Sequence, residues 1–114
     1  MRRLDQIPLK DDELRAIEAA ATVLRRRLPV EQVILFGSKA RGEDDPESDI
    51  DLLVLTKRPL TRDEERLVID LLFPLELEYG VVFSTLEIPA AEWEHGLYQV
   101  LPLRAEVERD GVAA

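Results

Sequence analysis

A chain of 114 residues carrying a net charge of −9 has room for one domain with a single core, and its charge argues against the broad basic face that nucleic acid requires. It contains no cysteine, which excludes a disulfide framework, a zinc–thiolate site and a thiol nucleophile. No apolar run approaches the length of a membrane span and the N-terminus lacks a signal peptide's apolar stretch, so a cytoplasmic protein without membrane contact is expected.

In chain order, Asp11, Asp12 and Glu13 supply an acidic helix start, and Leu14, Ile17, Ala21, Leu24 and Leu28 then fall on one helical face until Pro29 closes the segment. Arg25, Arg26 and Arg27 suit the C-terminal end of that helix dipole better than they suit an RNA-binding patch. The apolar run Val33-Ile34-Leu35-Phe36 predicts a first strand over residues 31–37, and a second is expected over 49–56. Between them lie a short helical turn through Lys39, Ala40 and Arg41 and an acidic loop around Pro46. Thr61 and Glu64 have the spacing of a capping box, predicting a helix over 62–73 that Pro74 ends. The alternation from Leu75 to Leu86 predicts a third strand over 76–86, with Gly80 at a bulge or close approach. Pro89 marks the next helical start, Trp93 anchors a short helix as a core residue, and a last helix over 97–109 is stopped at Gly111. His95, the only histidine, reads as a surface or helix-end residue.

The chemistry is concentrated in Gly37-Ser38-Lys39-Ala40-Arg41-Gly42 and in Ser48-Asp49-Ile50-Asp51-Leu52. Gly37 lets the backbone approach a phosphate and Ser38 adds a hydroxyl. Asp49 and Asp51 alternate with Ile50 and Leu52, so on a strand both carboxylates leave one face while the apolar partners enter the core, a pair suited to Mg2+. A Gly-Ser turn followed by a solvated acidic loop would account for Glu43, Asp44, Asp45 and Glu47, but not for Asp-Ile-Asp entering an apolar strand. An EF-hand loop is excluded, because Ile50 and Leu52 stand where that loop needs oxygen ligands or turn residues.

Gly-Ser, ten residues, then Asp-x-Asp resembles the signature of the DNA polymerase beta-like nucleotidyltransferases, and the fuller pattern resembles their minimal nucleotidyltransferase branch. The resemblance implies an α/β (α+β) fold in one domain over residues 1–114, with a small mixed sheet of about three or more strands and helices mainly on one face. It implies transfer of a nucleoside monophosphate, AMP from ATP, to a hydroxyl acceptor, with two Mg2+ ions stabilising the phosphoryl charge. Gly37, Ser38 and Arg41 would bind nucleotide; Asp49 and Asp51 would hold both metals. A third acid on the next strand would hold the ion that activates the acceptor. No aspartate stands there, so Glu78, with Glu76 as its alternative, is the candidate third metal ligand and catalytic residue. Lys39 reads as a solvent-facing residue or as an aid in neutralising triphosphate. Small relatives of this kind resemble antitoxins that pair with helical HEPN-domain toxins, which makes such a protein the expected partner of a complete small family member, while self-association stays open. The other class of reading is a binding module that keeps the nucleotide pocket and neutralises its partner by contact alone.

Overall fold

The computed structural model describes residues 1–43 and 45–114; the acidic loop expected around Pro46 includes Asp44, which lies outside the described residues. The elements run β1 (Arg2–Arg3), α1 (Asp11–Arg27), β2 (Val30–Phe36), α2 (Gly37–Ala40), β3 (Ile50–Thr56), α3 (Arg62–Tyr79), β4 (Phe83–Pro89), α4 (Ala90–His95), α5 (Pro102–Asp110) and β5 (Val112–Ala113), with 3-10 turns at Leu4–Gln6 and Leu97–Val100. One mixed sheet has the order β1-β5-β2-β3-β4. β2 pairs antiparallel with β3 and with β5, whereas β3 pairs parallel with β4, so α3 is the crossover that a parallel pair requires.

Alternation along the strands sends side chains to two cores. Val33, Leu35, Ile50, Leu52 and Val54 pack with Ile17, Ala20 and Leu24 of α1 and with Val68 and Leu72 of α3. Ile34, Leu53, Leu55 and Ile88 face the other way, against Trp93 of α4 and Val107 of α5. The two long helices do share a face, as expected, but the short C-terminal ones close the opposite face. With both faces covered, β3 is buried along nearly its whole length, which is why Ile50-Asp51-Leu52-Leu53-Val54-Leu55 reads as an almost continuous apolar run.

Three boundaries differ from expectation, and the first matters for the site. Pro74 does not end α3; the helix continues to Tyr79 and closes at Gly80, whose φ of 67° is the left-handed cap that glycine adopts without strain. The predicted strand over 76–86 is therefore a helix end followed by β4, which begins only at Phe83. Leu71, Leu72, Leu75 and Tyr79 follow Val68 at helical spacing, and burial of the leucines against the core outweighs the local break at proline. Gly80 is accordingly a cap and not a bulge. Finally, the single helix expected over 97–109 is a 3-10 turn followed by α5, which starts at Pro102 in the first-turn position and ends at Gly111.

Candidate functional site

The site is assembled where β2 ends and β3 begins. Phe36 is the register partner of Asp51, so the antiparallel pair delivers the turn from Gly37 and the carboxylate of Asp51 to the same end of the sheet. Gly37 opens α2 with a φ of 76°, and a Cβ placed on it would lie 2.2 Å from Asp51 Oδ2. The sequence reading gives Gly37 to the phosphate; the structure adds that its missing side chain is the space the Asp51 carboxylate occupies. Ser38 Oγ donates to Ser48 Oγ at 3.1 Å, and Ser48 Oγ donates to the Asp45 carbonyl at 2.9 Å, tying the turn to the loop that carries Asp49.

Lys39 is not solvent-facing. It is 5 % exposed, with its Nζ 2.5 Å from Glu13 Oε2 and donating to the Asp45 carbonyl at 2.8 Å. Burial works against the charge of Glu13, but the Lys39 hydrogen bond, the Lys10 backbone N–H and the positive charge of both lysines outweigh it and hold the Glu13 carboxyl below its usual range. This ion pair clamps α1, α2 and the acidic loop together.

Arg41 lies at the same end, its Nε 2.8 Å from Glu43 Oε1 and its Nη1 3.1 Å from Glu106 Oε1 on α5. Burial, followed by the neighbouring Asp49 carboxylate and by Glu106, pushes the Asp51 carboxyl above its ordinary value, while Arg41 pulls it down. A carboxylate disfavoured by burial and by two like charges is a carboxylate that a cation relieves. Glu106 was not legible as a site residue, because its place beside the motif depends on α5 folding back after β4.

The third acid is where the expectation fails. Glu78 lies exposed on the last turn of α3, one residue before its end, and it is absent from the charges that act on Asp51. Glu76 is on the same helix, and its Oε2 accepts the Phe83 backbone N–H at 2.8 Å, fastening the start of β4. The residue that β4 sets beside Asp51 is Ser84. Among the described residues no three His, Asp or Glu side chains converge as a metal-binding group. Mg2+ is commonly bound through one or two carboxylates, with substrate phosphates and waters completing its shell, so Asp49 and Asp51 still fit such an ion. A cavity of about 310 Å3 at this end of the sheet is lined by Lys10, Glu13, Ser48, Ile50, Tyr79 and Val82, and by none of Gly37, Ser38, Asp49 and Asp51. A second cavity, about 550 Å3, lies between Leu4, Leu14, Ala21 and Ala114 and includes no motif residue.

Residues 17–99 match the family model described as nucleotidyltransferase domain. The chain belongs to that family. A Methanocaldococcus jannaschii protein provisionally named protein adenylyltransferase MJ0141 is 41 % identical over 64 residues, which are 56 % of this chain and 63 % of that relative. The matched segment thus spans less than two thirds of that relative's length. A solved structure provisionally described as a minimal nucleotidyltransferase superposes with a TM-score of 0.60 at 33 % identity, covering 90 % of this chain and 95 % of the other. A toxin–antitoxin structure with AMP-PNP shares the fold, with a TM-score of 0.58 at 18 % identity over 91 % of this chain and 72 % of that one. Among the described residues no helix is long and apolar enough to cross a membrane.

Proposed function

We propose that this nucleotidyltransferase-family chain moves AMP from ATP to a hydroxyl group on a helical HEPN-type partner protein, the acceptor oxygen bonding to the α-phosphorus as the α–β phosphoanhydride breaks and pyrophosphate leaves, in a Mg2+-dependent reaction belonging to a toxin–antitoxin pair. The observation that carries the reading is the seating of the Asp51 carboxylate against Gly37, beside Asp49, at the junction of β2 and β3. In this reading Asp49 and Asp51 hold Mg2+, which supplies charge stabilisation to the triphosphate when bound. Gly37 and Ser38 receive the phosphates through backbone approach and a hydroxyl. Arg41, already at the site, exchanges a carboxylate partner for phosphate oxygens, a planar donor fork serving either anion. The provisional protein adenylyltransferase name of the relative supports AMP and a protein acceptor; the AMP-PNP toxin–antitoxin neighbour shares the fold alone.

A second reading, a nucleotide-binding module that neutralises its partner by contact, is favoured by one observation: β4 offers Ser84, not a carboxylate, beside Asp51. Two measurements separate the readings. Calorimetry should show Mg-ATP binding by the parent and its loss in Asp49→Asn and Asp51→Asn, with circular dichroism unchanged; equal binding by both variants would sink the site. Labelled ATP, Mg2+ and the purified partner should yield label on the partner. A parent that binds Mg-ATP and partner tightly yet transfers nothing is the contact-only module.

A further inference from the structure

α3 is apolar on two sides. Its inner side, with Val68 and Leu72, faces the core, but Ile69, Phe73 and Leu77 lie on the other side, 68 %, 55 % and 70 % exposed. At 100° per residue these three fall 100° to 180° around the helix from buried Val68, with Arg62 and Arg66 at one end of the stripe and Asp70 and Glu76 along its borders. Single exposed apolar residues need no explanation. A run at successive steps of four is different, because it forms the continuous ridge that helices use when they pack ridge into groove in their commonest crossing class. Val82, 56 % exposed, extends apolar surface beyond Gly80 toward the loop of the site, and its carbonyl accepts the Ile50 backbone N–H at 2.8 Å.

We infer that the outer ridge of α3, Ile69, Phe73 and Leu77, is the docking surface for a helix of a partner protein that carries net positive charge. The inference rests on the reading of a helical protein partner given above. Charge selects the occupant: a second copy would bring −9 against −9, whereas a basic helical protein is attracted at long range and fills the ridge at contact. The ridge lies on the helix that ends beside the cavity lined by Ser48 and Val82, so a protein held there has its surface close to the nucleotide end of the sheet.

The test uses the full chain and the purified HEPN-type protein, with Ile69→Ser/Leu77→Ser as the variant; neither position belongs to the catalytic or nucleotide-binding machinery. Sedimentation should show a monomer for both chains alone. Calorimetry with the partner should show affinity reduced by about 100-fold or more in the variant, the loss typical of two central anchors, while Mg-ATP binding stays at the parental value. Parental affinity in the variant overturns the inference, as does a parent that ignores this protein. A parent that dimerises alone, with the variant monomeric, overturns it in favour of a second copy. If docking depends on the ridge while no AMP is transferred, the enzymatic reading fails and the docking surface stands.

Discussion

Lys39 illustrates how little a residue's type says about its burial when the clamp it makes is formed from three segments. Its Nζ joins Glu13 of α1 to the Asp45 carbonyl in the acidic loop, so removing Glu13 leaves a buried ammonium with one partner fewer. Glu13→Gln should therefore destabilise the fold by about 3 kcal/mol, as breaking one side of a buried pair does, whereas Glu13→Leu with Lys39→Met should recover most of that loss. Urea unfolding at pH 7 measures both. The pH dependence has a defined sign: because the Glu13 carboxyl titrates below its unfolded value of 4.5, its contribution is complete above pH 4.5 and is lost as pH falls through the lowered folded value. Glu13→Gln should flatten that acid limb. At this scale the motif residues were legible, since Gly-Ser and Asp-x-Asp carry their chemistry in their types and spacing. The pair Glu13–Lys39 was not, because nothing in a local window brings residue 13 to residue 39. Glu106 escaped for the same reason.

At the scale of elements, β2, β3 and the start of α3 were readable because each has a local cause: an apolar run, an alternation, a capping box. The last is present as expected, with Glu64 N–H donating to Thr61 Oγ1 at 3.1 Å and Thr61 N–H to Glu64 Oε1 at 2.9 Å. Hydrogen bonding to Arg58, then the Thr61 backbone N–H, lowers the Glu64 carboxyl to about 2. The second half of α3 was misread because two signals conflicted with packing. Pro74 removes one backbone donor in the helix interior, and the outer apolar ridge turns a helical pattern into an apparent alternation from Leu75 onward. Leu72 and Leu75 against the core, and Glu76 holding the Phe83 N–H, decide the outcome. Pro74→Ala should consequently stabilise the protein, by about 1–2 kcal/mol, the interior proline cost of about 3 kcal/mol less what proline removes from the unfolded chain and what the helix already absorbs. Urea titration should show the midpoint rising at unchanged slope. A lower midpoint would mean that proline at position 74 is required to seat Glu76 at the start of β4.

For the whole molecule, an acidic chain with its paired carboxylates gathered at one end of the sheet folds against its own charge. The net charge of −9 is spread over 114 residues, and Asp51 is held in a place where burial, Asp49 and Glu106 all oppose its ionisation. A raised carboxyl in the folded state means that ionised Asp51 detracts from stability above its folded value and is relieved as pH falls through it. Site and stability are thus in tension, as expected where function places like charges together. Three outcomes follow for thermal unfolding at pH 7.5. Raising NaCl from about 0.01 to about 0.5 M shortens the screening length several-fold and should raise Tm by about 5 °C. In low salt without metal, Asp51→Asn should melt above the parent, because it deletes the disfavoured charge and keeps the shape. Addition of about 10 mM Mg2+ at fixed ionic strength should then raise Tm in the parent but not in Asp49→Asn or Asp51→Asn, since a ligand stabilises only the fold that binds it. The sodium arm reads the diffuse charge of the entire chain and should move parent and variants alike. A Mg2+ shift of equal size in all three proteins would assign the cation to diffuse surface charge and remove Asp49 and Asp51 from the metal site.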